Sequence, residues 1–210
     1  MNDFRDVILL LVGWLLGLLS PPLVDRIQRK YKQAEVRSAI LNELRELQFT
    51  MMAFAFGVRT RMGKVDSEFL QWMTPIYERY RGSEEDKELV SRFQQLKALP
   101  PEQLRAVQAP LVSSFRGLSL KTYSVPYIEA QYASLSLFKP AFQQRVLQVK
   151  AKLAAFNEEV AFLMRQFELT FSTLSSENRA VVSQNLNSGY EKLSSIAVTI
   201  CRLIDEIPKG

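Results

Sequence analysis

Histidine is absent from this chain and cysteine occurs once. Lack of histidine removes the commonest general acid or base near neutral pH and the commonest metal ligand. One cysteine, Cys201, excludes an intramolecular disulfide and any thiolate metal site built within one chain. Cys201 falls in an apolar helical pattern with Ile200, Leu203 and Ile204, so a buried, inert thiol is expected. A domain without disulfides fits a reducing compartment. Glycine (8) and proline (9) are scarce in 210 residues and mostly sit at apparent breaks, as long helices require. Sustained alternation of apolar and polar residues is also missing, so essentially no sheet is expected. There is no phosphate-cradling glycine loop, no G-x-S-x-G, no zinc signature and no internal repeat. No catalytic residue, metal ligand or cofactor is therefore assigned, and an enzyme is not expected. The charge balance, 27 Lys and Arg against 22 Asp and Glu, is too even to argue for nucleic acid as a partner.

What is present begins with an apolar run. Every residue from Val7 to Leu19 is apolar or glycine, and the uncharged stretch continues through Ser20, Pro21, Pro22, Leu23 and Val24. Eighteen helical residues reach about 27 Å, close to a hydrocarbon core of about 30 Å. The preceding MNDFRD is not basic overall, and Leu-Leu-Ser-Pro-Pro is a poor cleavage site, so an uncleaved anchor is expected over a signal peptide, with a re-entrant or interfacial segment turned by Pro21–Pro22 as the alternative. Arg26, Arg29, Lys30, Lys32 and Arg37 follow the run, whereas only Arg5 precedes it. That asymmetry predicts a single pass through an inner membrane, with residues 1–6 outside, 7–24 spanning and 25–210 in the cytoplasm. The same basic collar is a candidate for lipid headgroups. Gly13, Gly17 and Ser20 share one helix face and are candidates for self-association of the anchor.

Beyond the run, apolar or small residues at Ile27, Tyr31, Ala34, Ser38, Leu41, Leu44, Gln48, Met51, Ala55, Val58 and Met62 step by three and four. They predict one helix over 25–63, fed directly by the anchor. Breaks then crowd together over 64–138: Asp66 as a cap, Thr74–Pro75, Gly82–Ser83, Pro100–Pro101, Pro110, Gly117 and Pro126. Short helices fit between them, at 84–98 and 101–109. Pro140 opens a clearer stripe of Phe142, Val146, Val149, Leu153, Phe156, Val160, Leu163, Phe167 and Phe171. Ser175 and Ser176 are N-cap candidates, with Glu177 placed for the dipole of a last helix. That helix carries Val182, Leu186, Gly189, Leu193, Ile196, Ile200, Leu203 and Ile207. A connection this short predicts an antiparallel helical hairpin over 139–207. The expected fold is all-α: an N-terminal transmembrane helix continuing into a long-helix antiparallel bundle with an inserted short-helix segment.

Glu43, Glu46, Glu158, Glu159 and Glu168 fall off the apolar faces and read as solvated carboxylates. Arg59, Arg61 and Lys64 close the first long helix and are read as cations that complement its dipole, with phosphate or nucleic-acid binding as the alternative. Phe54, Phe56, Phe69, Trp72, Tyr77 and Tyr80 cluster tightly and are read mostly as core, with a partner groove as the alternative. Tyr123, Tyr127 and Tyr132 are placed in the same region. Gln48 and Asn157, polar residues on or beside seams, are candidates for fixing helix register. Two functional expectations follow. The first is a membrane-anchored interaction or scaffold module acting through protein–protein contacts, as a homo-oligomer or with a partner protein. The second is a membrane-acting effector, of toxin or defence type, whose anchors cluster on activation.

Overall fold

A computed structural model describes residues 3–80, 86–104, 106–107, 120–172 and 175–208, with only the backbone at most positions of 3–23 and at 86–90 and 92. Every element among the described residues is helical. Helix α1 (Asp3–Arg61) is one unbroken rod, about 90 Å long at about 1.5 Å per residue. It is followed by α2 (Ser67–Arg79), α3 (Asp86–Lys97) and a helical stretch at 101–104. Next come α4 (Pro126–Ala130), a 3-10 helix (Tyr132–Leu137), α5 (Pro140–Leu169) and α6 (Ser176–Asp205).

Three long helices make the bundle, and α6 is the shared partner of α1 and α5. Gln48 of α1 meets Cys201, and Lys64 just beyond α1 meets Glu191, so α1 and α6 are antiparallel. Arg145 pairs with Glu206 and Lys192 with Glu159, so α5 is also antiparallel to α6 and parallel to α1. Parallel neighbours need a long return connection, which is 62–139, and of its described elements α2 and α4 lie against α1. Within that return, α2 packs back along α1, with Phe69 under Arg59 and Tyr80 beside Glu46.

The caps are those expected. The Asp66 carboxylate accepts the Phe69 N–H at 2.7 Å and the Ser175 hydroxyl accepts that of Asn178 at 3.3 Å. Pro126 and Pro140 each open a helix, where a missing N–H is harmless. After α1 the chain reverses at Gly63, whose φ of 65° is left-handed. The Lys64 N–H returns to the Arg59 carbonyl and the Gly63 N–H to that of Thr60, a Schellman closure that needs glycine there. Pro75 does not break the chain as expected but lies inside α2. The Thr74 hydroxyl bonds the Leu70 carbonyl and Arg79 Nε bonds that of Pro75, which tethers the helix on both sides of the ring. The Ser83–Glu85 cap signal, Pro110 and Gly117 lie outside the described residues.

The membrane placement is overturned. A spanning helix needs about 20 predominantly apolar residues, and among the described residues no helix is long and apolar enough to cross a membrane. From Val24 onward α1 carries Asp25, Arg26, Arg29, Lys30, Lys32, Glu35 and Arg37, too dense a set of charges for hydrocarbon. The single-pass, inner-membrane assignment, with residues 1–6 outside and 25–210 in the cytoplasm, is withdrawn on that finding. The side chains of most of 7–23, including Gly13, Gly17 and Ser20, lie outside the described residues.

Candidate functional site

The seam between α1 and α6 is apolar, with Ile40, Leu44, Met51, Ala55, Leu193, Ala197 and Ile200 buried. A polar pair interrupts it. Gln48 Nε2 donates to the Cys201 carbonyl at 3.0 Å, and the Cys201 thiol donates to the Gln48 carbonyl at 3.3 Å. Two bonds across one buried contact penalise any shift of the helices, because slippage strands an amide in an apolar seam. Burial, and then the nearby Asp205 carboxylate, push the Cys201 thiol well above its usual range. It stays protonated and is a donor rather than a nucleophile.

The return connection is held by two carbonyl- or carboxylate-bearing side chains. Glu43 is half-buried, and its two carboxylate oxygens accept the N–H groups of Tyr127 and Ile128 at 2.8 Å each. It therefore caps the start of α4 from another helix, which corrects its reading as a solvated carboxylate. Asn157 pairs both ways with the Tyr123 backbone, accepting at 3.0 Å and donating at 2.8 Å. Burial pushes the Tyr123 phenol above its usual range. Glu159 is also less free than its helical position implied, since it is mostly buried and pairs with Lys192. Glu158 and Glu168 are exposed as expected.

The six aromatics, read mostly as core with a partner groove as the alternative, pack into the core cluster. Phe56, Phe69 and Tyr77 are buried, and Phe54, Trp72 and Tyr80 are partly buried against the same cluster. Phe49 stacks on Tyr80 at 3.6 Å, and Phe54 meets Phe156 edge-on at 5.2 Å. Helix α2 packs against α1 here. Tyr123 and Tyr127 join that core, while Tyr132 is exposed beside Lys150.

The basic collar divides. Arg26, Arg29, Lys30 and Lys32 are exposed on the part of α1 that projects beyond the bundle. Arg37 is engaged: its guanidinium lies 4.7 Å over the Phe142 ring and donates to the Pro208 carbonyl. It joins the first turn of α5 and the end of the chain to α1. The buried face of α1 also begins later than its periodicity implied. Ile27, Tyr31, Ala34 and Ser38 are exposed, and Val36 and Ile40 start the seam, because α5 and α6 do not extend beside the preceding turns.

The opposite end of the bundle carries the candidate site. Lys64 meets Glu191, and a Cβ added to Gly189 would stand 2.1 Å from Leu163 Cδ2, so α5 and α6 touch closely there. Beyond that level α1 has ended, and α6 runs on for thirteen residues to Ser176, about 20 Å. The hairpin tip consequently stands free of the third helix. Phe162, Met164, Phe167, Leu169, Phe171 and Val181 are all exposed around it, Phe171 by 79%. Phe167 and Phe171 were expected inside. They stack edge-on at 5.2 Å instead, and among the described residues no third helix covers them. No family model matches this chain, and neither a curated protein nor a solved structure matches it. The charged residues of the tip are Arg165 and Arg179 against Glu168 and Glu177, an even balance in a chain of net charge +5. One signal of it lay in the sequence: the stripe through Phe171 outruns what a helix ending at Gly63 is able to cover.

Proposed function

We propose that this chain is a helical interaction module that docks through the free tip of the α5–α6 hairpin, with a second copy of itself as the partner. The exposed tip carries the reading. Single apolar residues on a surface are ordinary, but six large ones gathered on one projection mark a contact surface. Equal numbers of basic and acidic residues on the tip let a two-fold partner pair opposite signs and place no net repulsion between copies. The effector alternative depended on a membrane-spanning segment and is not carried forward.

Sedimentation equilibrium of the full chain tests the proposal. The expected result is concentration-dependent self-association that Phe167→Ser with Phe171→Ser abolishes while the circular dichroism is unchanged. Tyr31→Ser, at the other end of the molecule, is expected to leave association intact. A wild-type monomer up to about 1 mM, the weak end of specific binding, counts against the reading. So does association that survives the paired tip substitution.

A further inference from the structure

A cleft of about 530 Å³ opens between the turn after α1 and the middle of α6. Val58, Met62 and Val65 form its apolar side, and Arg59, Lys64, Asp66, Glu191 and Ser194 supply polar groups. Most of these groups are already occupied. The Asp66 carboxylate caps α2, and Lys64 and Glu191 pair with each other. The Schellman closure takes the Arg59 and Thr60 carbonyls.

Two groups are left over. Ser194 is 4% exposed and its hydroxyl has no hydrogen-bond partner, although a helical serine ordinarily bonds a carbonyl one turn back. An orphaned buried hydroxyl is rare enough in proteins to require a reason. Arg59 Cζ lies 4.1 Å from the centre of the Phe69 ring, and among the described residues no carboxylate pairs with it. That cation–π contact holds the guanidinium in place and leaves its N–H donors for something else. A fixed guanidinium fork and a free hydroxyl, beside an apolar wall, match an oxyanion with a short hydrocarbon body. The volume is that of a metabolite-sized site.

We propose that this cleft binds a small organic oxyanion, its carboxylate or phosphate head on Arg59 and Ser194 and its apolar body against Val58 and Met62. The carboxylate and phosphate forms share that chemistry, and calorimetric titration of the full chain with hexanoate and with hexyl phosphate separates them by which binds more tightly. Hexanol, lacking charge, is expected not to saturate. Arg59→Gln and Ser194→Ala are each expected to weaken the better probe by about tenfold or more, the loss of a charge-assisted hydrogen bond. Without ligand, Ser194→Ala is expected to melt no lower than wild type, because its hydroxyl has no partner to lose. The proposal is overturned if neither anion saturates the wild type or if both variants bind as tightly as wild type. A lowered melting temperature for unliganded Ser194→Ala also overturns it, since the hydroxyl would then be satisfied within the protein.

Discussion

Gly189→Ala places a methyl group where α5 and α6 touch closely. The new carbon would lie 2.1 Å from Leu163 Cδ2, 2.8 Å from its Cγ and 2.9 Å from its Cδ1. Carbon atoms ordinarily settle at about 3.5–4.0 Å, so the leucine must retreat by roughly 1.5 Å. It has nowhere to go, being fully buried in the cluster that holds Phe156 and Val160. Overpacking of this kind costs about 1–3 kcal/mol. Against it stands the gain of about 1 kcal/mol when alanine replaces glycine inside a helix. Packing is expected to win, with a net loss on the order of 1 kcal/mol. Urea unfolding followed by circular dichroism measures this directly, and the thermal midpoint should fall by about 2–4 °C for each kcal/mol. A cycle with Leu163→Ala sharpens the test. Leu163→Ala alone leaves a cavity costing about 2–5 kcal/mol, and in the double variant the methyl at 189 enters that cavity. The two changes should then be less harmful together than their sum, by at least about 0.5 kcal/mol. A more stable Gly189→Ala, by the amount propensity alone predicts, would refute the reasoning. Strict additivity in the cycle would do the same.

Glu43→Ala removes both acceptors at the start of α4, and a loss of about 1–3 kcal/mol is expected for the stranded donors; amide exchange at Tyr127 and Ile128 should accelerate selectively, and unchanged rates there would contradict the cap. Cys201, with its thiol raised and buried, should resist a thiol reagent in the native state and react only at the rate of unfolding. Fast labelling would place that thiol at the surface. The same burial ties stability to alkaline pH. The folded pKa values of Cys201 and Tyr123 lie above their ordinary values of 9.0 and 10.0. Their contribution is thus complete below those values and is lost as pH rises past them, because the unfolded chain then releases protons that the folded chain keeps. Unfolding free energy should fall as pH climbs beyond about 9, and less steeply in Cys201→Ala. Gln48→Glu sets a carboxylate in the α1–α6 seam and should be far more harmful than Gln48→Met, which loses one bond but buries no charge; equal effects in urea unfolding would show that the seam is wet.

Local chemistry made much of this legible in the sequence. Steps of three and four put Leu44, Gln48, Met51 and Ala55 on one face whatever packs against them, and the same holds for Phe142 through Leu163 and Val182 through Ile200. Asp66 and Ser175 cap because a short acceptor before a helix meets the backbone of its own first turn. Such features depend only on residues within a turn or two of one another.

The remainder depended on which helix lies beside which, and periodicity carries no such information. A stripe records that a face is apolar, not how far its partner extends, so Phe167 and Phe171 continue the pattern of Leu163 yet stand in the open where α1 has stopped. Ile27 and Tyr31 are exposed at the other end for the same reason. Glu43 holds residues 84 and 85 positions away, Arg37 reaches Pro208, and Arg59 and Ser194 line one cleft from helices far apart in the chain. Helical period and caps are fixed by neighbours along the chain, whereas coverage, capping from a distance and clefts are fixed by neighbours across space, and those exist only once the bundle has assembled.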